Sequence, residues 1–307
     1  MRRLPDVHLR DLRHAWRHAM SRVPGQARLG SVGKSARVTP TAAETPASGA
    51  GVAVLYESTV RTPIAPMHGK PRIASQMVSQ QIAGHRVEIV DEEGDWLRAR
   101  GRDTYEGWMH TGFLARAPEI TSPPSGEPVR VSLGCTTRTA AGGRRSLPLR
   151  AILAADEVLT SGNVIEMEAL ARRFPLRADA IVQSAQEFFS ATSYLWGGVT
   201  PWGADCSGLA QSVFSLHGLQ LPRDAWQQAE TGSDAGRDVG ELRTADLLFF
   251  SDRFDRRVTH VGIALGDRRM VHLALGRGGY AIEQLDDRRD PFVERLRERF
   301  LFARRLV

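Results

Sequence analysis

Three textures of apolar and polar patterning divide the chain. Over residues 1–50 there is little apolar periodicity, and Arg, Ala, Thr, Ser and Pro predict a disordered basic tail. From 51 to 120 the period becomes two. Val87-Glu88-Ile89-Val90 and Asp95-Trp96-Leu97-Arg98-Ala99-Arg100 alternate, and Gly107-Trp108-Met109-His110 closes the series. Gly-Asp clusters separate these runs, as turns between short antiparallel strands do, and the spacing predicts a small all-β barrel over 51–120. A punctuated linker over 121–127 contains Pro123, Pro124 and Gly126. Beyond it, Val129-Arg130-Val131-Ser132 and Leu147-Pro148-Leu149 predict a second, more degenerate barrel over 127–177.

The third texture runs over 178–307 and reads as helix, helix, then strands. Ala180 to Phe189 is one predicted helix. A second follows Asp205-Cys206-Ser207-Gly208, where Leu209, Val213 and Leu216 recur at three- and four-residue steps. Asp246 to Phe250 reads as a buried strand, and His260 to Leu265 with Met270 to Leu273 reads as a hairpin turning at Gly266-Asp267. Segregated helices and an antiparallel sheet make this an α+β domain, and the chain multidomain.

Charge sharpens the picture by its location. The net charge is +6, yet residues 1–40 hold nine Lys and Arg against Asp6 and Asp11, so the rest sums to about −1. The folded part is therefore not a basic nucleic-acid surface, and no nucleic-acid partner is expected. No apolar run approaches a membrane span, so stable insertion is not expected. No signal-type apolar stretch follows the basic N-terminus. The expected location is cytoplasmic, with export or the cell envelope as the alternative if the start is misassigned. Two cysteines, Cys135 and Cys206, form no disulfide framework and are compatible with a reducing compartment. Oligomeric state has no signature in the sequence.

The candidate chemistry centres on Cys206. A thiol in the first turn of a helix feels the positive end of the backbone dipole, which favours thiolate. With a turn centred near Gly266, His260 and His272 face each other across the hairpin, giving a base and a second imidazole to orient it. The Cys206 helix is then expected to pack its N-terminus against that face of the sheet. Each residue also has a plainer reading. A small cysteine is usually a buried apolar residue, as expected for Cys135. The two histidines are open to a role as satisfied strand residues or as two ligands of a metal. Zinc is disfavoured, because a third ligand has no ligand-type spacing. No metal or cofactor is expected.

Together these motifs resemble the NlpC/P60 cell-wall cysteine peptidases, a papain-like family. Tyr194-Leu195-Trp196-Gly197-Gly198, Asp205-Cys206-Ser207-Gly208, Leu221-Pro222-Arg223, Asp246 to Phe250 and Thr259-His260-Val261-Gly262-Ile263 carry the likeness in order. The segment from Glu93-Gly94-Asp95-Trp96 to Tyr105-Glu106-Gly107-Trp108 resembles a bacterial SH3-like domain. One branch of the family places such barrels ahead of the peptidase and cleaves the γ-D-glutamyl-L-diamino-acid bond of murein peptides. The resemblance implies Cys206 as nucleophile, His260 as base and His272 as its orienting partner. It further implies substrate contacts from Tyr194, Asp205 and Ser207, with Asp205 on the free amine of an N-terminal L-Ala. From the first barrel it implies Tyr105 and an acidic residue, at whose place this chain has Gln76. A second departure is Ala245, where the family usually has Gly.

The expected partner is a murein peptide with a free N-terminal L-Ala, as in recycling of wall peptides. Alternatives are an exported lytic D,L-endopeptidase acting on intact peptidoglycan, a non-catalytic wall-peptide binding protein, and, with least support, an acyltransferase on the same fold. The accepted diamino acid is not encoded in any motif.

Overall fold

The computed structural model describes residues 53–116 and 127–307. The tail expected over 1–50, and all but the last residue of the linker expected over 121–127, lie outside the described residues. Seven strands form the first sheet: β1 (Tyr56–Val60), β2 (Ile64–His68), β3 (Met77–Ile82), β4 (Arg86–Glu93), β5 (Trp96–Arg100), β6 (Glu106–His110) and β7 (Leu114–Arg116). Their order is β3-β2-β6-β5-β4-β1-β7, with antiparallel pairing. Alternation builds this unit. In β5, Leu97 and Ala99 are buried, while Trp96, Arg98 and Arg100 remain partly exposed. The inward residues meet Val60, Met67, Ile89 and Met109 in one core, where each large side chain contributes about 1.5–3 kcal/mol. Gly94, at φ +57°, opens the two-residue turn between β4 and β5.

The second barrel expected over 127–177 is not formed. In its place is a three-stranded antiparallel sheet of β8 (Arg130–Arg138), β9 (Arg144–Ile152) and β10 (Val158–Glu166), with β8 central. Three strands leave two open edges, most of β10 is exposed, and the sheet's small core of Cys135, Leu147, Ala151 and Leu153 is completed by Ala83 of the first unit. It shares its apolar residues with its neighbours, and Leu149 joins the C-terminal core. Cys135 is thus a buried apolar residue, as expected. Beside this junction the Ile152 N–H donates to the Ala83 carbonyl at 2.8 Å. Gly84 there has φ +76°, and a Cβ would come within 2.6 Å of the Ile152 carbonyl oxygen.

The C-terminal unit begins earlier than residue 178, because Phe174 is already buried in its core. Its first long helix, Ala178–Phe189, buries Ile181, Ala185 and Phe189 at four-residue steps. A two-stranded ribbon follows, β11 (Val199–Thr200) with β12 (Gly203–Ala204), and leads into the helix Cys206–Leu216. The remaining strands are β13 (Ser233–Gly236), β14 (Leu247–Phe250), β15 (His260–Gly266), β16 (Arg269–Ala274), β17 (Gly279–Gln284) and β18 (Phe300–Arg305). They form one sheet in the order β13-β18-β14-β15-β16-β17. A helix over Pro291–Arg299, capped by Asp290, lies between β17 and β18 in sequence. The two faces of the sheet are covered separately. Leu247, Phe249, Val261, Ile263, Val271 and Leu273 meet the Cys206 helix. On the other face, Leu248, Phe250, Ala264 and Met270 meet Leu296 and Phe292 of the C-terminal helix.

Ala245 precedes β14 at φ +68°, which accounts for the usual glycine there; a side chain costs about 1 kcal/mol in that conformation. Among the described residues no helix is long and apolar enough to cross a membrane.

The Gly84 contact yields a comparison. Gly84→Ala is expected to lower unfolding free energy by about 1–3 kcal/mol in urea titration, because strain and a backbone clash coincide. Gly94→Ala has positive φ but open space around it, and is expected to cost only about 1 kcal/mol. Equal losses would contradict the packing argument.

Candidate active site

Cys206 owes its position to close backbone contacts that only glycine permits. A Cβ on Gly208 would lie 2.1 Å from the Gly198 carbonyl oxygen, and one on Gly198 would lie 2.3 Å from that of Gly203. The glycine loop and the ribbon therefore press directly on the first turn of the Cys206 helix. Asp205 caps that helix, accepting from the Gly208 N–H at 2.7 Å. The same carboxylate accepts from the Gly197 N–H at 2.8 Å and the Ser207 hydroxyl at 3.1 Å. It also takes both terminal nitrogens of Arg223, at 3.1 and 2.6 Å.

This gives Asp205 a structural role that the sequence reading did not assign to it. A carboxylate offers about four acceptor positions. Those of Asp205 receive five donors, and Arg223, only 1% exposed, neutralises its charge. Ser207 is held in the same way, its hydroxyl accepting from Arg223 at 2.8 Å while donating to Asp205. Both residues shape the helix start. Arg223 was legible as part of the Leu-Pro-Arg motif, but nothing in the spacing showed that it would pair with Asp205.

His260 and His272 meet as expected, with Nε2 of the first 2.9 Å from Nδ1 of the second. Their register differs from the expectation. The hairpin pairs Ile263 with Val271 and Ala264 with Met270, two residues away from direct opposition of the histidines. Asp267 and Arg268, at φ +50° and +57°, make the turn one residue later than Gly266-Asp267, and a bulge follows Ala264. A shift of two keeps every side chain on its face, so the imidazoles meet diagonally. The face itself is a second correction. The histidines stand among Phe250 and Phe292, on the side opposite the Cys206 helix. At the start of β15 the Val261 N–H, adjacent to His260, hydrogen-bonds to the Cys206 sulfur.

Beyond His272 the polar chain continues. Its Nε2 lies 3.3 Å from Glu283 Oε1, and Arg277 clamps the Glu283 carboxylate at 2.7 and 2.8 Å. Arg277 also pairs with Asp290 and stacks 4.3 Å over the Phe292 ring. Glu283 escaped the sequence reading because β17 carries no clean alternation.

The electrostatics of the resting pair overturn the expected thiolate. Burial, helped by the Asp205 charge, pushes the Cys206 thiol up to about 12, against the pull of the Val261 and Ser207 amides and Arg223. Burial holds His260 well below the ordinary imidazole value, and His272 and Arg299 add to this. The half-charge of a helix end is outweighed by desolvation. Both shifts work against a resting thiolate–imidazolium pair.

The first β unit forms one wall of this region. Ser79 accepts from Arg223 Nε at 3.1 Å, and the Gln80 side chain accepts from the Val199 N–H at 3.2 Å. Tyr105 is buried at the seam, where its hydroxyl hydrogen-bonds Asp224. Asp224, missed in the sequence, is also held by Trp226 Nε1 at 3.3 Å. Burial raises its proton affinity, partly offset by Arg223. Tyr194 is half-buried near Cys206, and burial raises its hydroxyl above the ordinary phenol value. Gln76 is exposed at the edge of the seam, next to Met77, whose backbone packs on Gly197. From that segment Ser79 and Gln80, not Gln76, make the hydrogen bonds to the C-terminal unit. Among the described residues no group of three or more His, Cys, Asp or Glu could hold a metal ion.

Two outcomes test these charges. In a Cys135→Ser background, alkylation of Cys206 by iodoacetamide is expected to keep rising through pH 9–10, without the plateau near 8.5 of an ordinary thiol. A plateau below pH 8 would show a resting thiolate. Arg223→Met is expected to lower stability by about 3–5 kcal/mol in denaturant titration, since it leaves Asp205 buried and unpaired.

Comparison with known proteins agrees with this architecture. Residues 191–290 match the NlpC/P60 family, and residues 65–115 match a bacterial SH3 domain. A γ-D-glutamyl-L-lysine dipeptidyl-peptidase of Bacillus subtilis is 26% identical over 215 residues, 63% of this chain and 71% of the relative. A probable endopeptidase of Haemophilus influenzae is 32% identical over 114 residues, 37% of this chain and 69% of the relative. The crystal structure of an NlpC/P60 family protein from Bacillus cereus shares the fold, with a TM-score of 0.68 over 81% of this chain and 99% of that one, at 19% identity. A glycine-packed cysteine helix, a histidine pair on the adjoining strands and a bacterial SH3 domain ahead of them thus converge on one assignment: the chain belongs to the NlpC/P60 family of cysteine peptidases.

Proposed function

We propose that this chain hydrolyses the γ-D-glutamyl-L-diamino-acid bond of short murein peptides that carry a free N-terminal amine. The observation that carries this reading is the seam of Tyr105 and Asp224 beside the Cys206 helix. Asp224 is a half-buried carboxylate beside Tyr105, held by Trp226 Nε1 and the Tyr105 hydroxyl and raised in proton affinity by burial, and an arriving ammonium would stabilise its charged form. The Bacillus subtilis relative is named for the same bond with lysine as the diamino acid, which supports the reading.

In this mechanism Cys206 attacks the γ-carbonyl while His260 removes the thiol proton. Because burial works against a resting thiolate, attack and proton transfer occur together rather than from a preformed thiolate. The oxyanion faces the first amides of the helix, which have no intrahelical partners, with the Tyr194 hydroxyl alongside. His260 then protonates the departing diamino-acid nitrogen, leaving a thioester. A water attacks that thioester, His260 again takes the proton, and the γ-glutamyl product leaves with the thiol restored.

An amine requirement directs the activity toward released peptides, because in intact wall the L-Ala nitrogen is acylated by muramic acid. This places the reaction in the reuse of wall fragments. Digesting free L-Ala-γ-D-Glu-diamino-acid peptide beside its N-acetyl form is expected to favour the free amine by at least about 30-fold in kcat/KM, the equivalent of about 2 kcal/mol. Asp224→Asn is expected to raise KM for the free peptide by about 30- to 150-fold, with a smaller change in kcat. Comparable rates on free peptide, acetylated peptide and intact sacculi would instead support a lytic endopeptidase. Turnover that survives Cys206→Ala would remove the catalytic assignment.

A further inference from the structure

We propose that Glu283 is a positioning residue that fixes the tautomers of both active-site histidines through a chain of directed hydrogen bonds. The geometry is a diagonal across three neighbouring strands. His260 opens β15, His272 lies on β16 and Glu283 lies on β17, where it is paired in register with Met270. The three side chains share one face, and each is offset from the next by two residues.

The argument begins at the far end. Glu283 is 4% exposed and clamped by Arg277, whose guanidinium donates to both carboxylate oxygens. Burial alone would raise its proton affinity, but the hydrogen bonds from His272 and Arg277 outweigh it and hold the group near 2, so it is ionised. An ionised carboxylate only accepts. The His272 nitrogen facing it, Nε2 at 3.3 Å, must therefore carry the proton. With His272 in its uncharged form that is its one N–H, and its Nδ1 then presents a lone pair. His260 Nε2, at 2.9 Å from that lone pair, must in turn be the donor. That leaves the lone pair of His260 on Nδ1, the only nitrogen remaining to take the Cys206 proton. One carboxylate thus dictates, two rings away, which nitrogen of His260 is the base. Its negative charge also favours the imidazolium that forms as the proton arrives.

Arg277 gives the carboxylate its rigidity and is itself fixed by Asp290 and the Phe292 ring. The ionic groups around the histidine pair are Glu283 and Arg277 from β17 and its approach, Asp290 and Arg299 from the two ends of the C-terminal helix, and the Cys206 thiol. Among the described residues Glu283 is the one acid hydrogen-bonded to either ring, so removing its charge shifts the pair in one direction.

The chain rests on the cysteine-peptidase reading for its kinetic readout, but the tautomers are observable without substrate. In the full-length protein labelled with 15N-histidine, the ring-nitrogen shifts of His260 and His272, assigned with single His→Gln variants, are expected to show the proton on Nε2 in both. Glu283→Gln is expected to lower kcat about 100-fold with KM within about twofold. The acid limb of kcat/KM is expected to move down by about one pH unit, because loss of the carboxylate makes the imidazole less basic. Glu283→Asp, which restores the charge at shorter reach, is expected to recover part of the rate. A wild-type His272 protonated on Nδ1 would overturn the proposal. So would a Glu283→Gln variant with unchanged kcat and acid limb, or one impaired only in thermal stability. Should the wild type cleave no γ-glutamyl peptide, the substrate reading fails while the nitrogen shifts still decide the role of Glu283.

Discussion

The buried ion pair of Asp205 and Arg223 is the interaction on which the site depends. It joins four parts of the chain that are far apart in sequence: the Ser79 strand of the SH3 domain, the glycine loop at Gly197, the start of the cysteine helix, and the Leu-Pro-Arg segment. Two buried charges are costly alone, and the cost is met only if every lone pair and N–H is used. Here the carboxylate is fully occupied, and both faces of the guanidinium find partners in Asp205, Ser207 and Ser79. Such a pair adds little net stability over an apolar one of the same volume, but it tolerates few geometries. It makes the position of the nucleophile a consequence of how the SH3 domain docks.

Much of this was legible from sequence. Period-two alternation located β4 to β6, and three- and four-residue steps located both long helices. Glycines, a capping acid and a cysteine in that order have few other uses, which singled out Cys206 as the candidate nucleophile. Three things were not legible. Closure of the middle sheet depends on where its apolar face is buried, and Leu147 and Leu149 alternate alike whether they face their own barrel or a neighbour. The hairpin register turned on a bulge and a turn of Asp267 and Arg268, residues with no strong preference for positive φ. Asp205 looked free because its partner, Arg223, is a tertiary contact 18 residues away in sequence.

The charges of the site follow from packing more than from motif. A helix start attracts negative charge, yet Cys206 sits within a buried cluster next to an acid, and desolvation dominates. His260 is displaced in the complementary direction. Both shifts oppose activation at rest. The work of activation falls on the arrangement that receives the proton, which is why a carboxylate on the third strand bears on chemistry at the first.

That bias against a resting thiolate has a further consequence for redox chemistry. Peroxides and disulfides react with thiolate, and a sulfur that is protonated and buried between turnovers offers almost none. Enzymes with a standing thiolate must be shielded from oxidants or repaired after them. In this protein the burial of Cys206 works against a standing thiolate. The same burial that slows a chance oxidant keeps the single catalytic sulfur in service, with Cys135 too far into the apolar junction to act as a resolving partner.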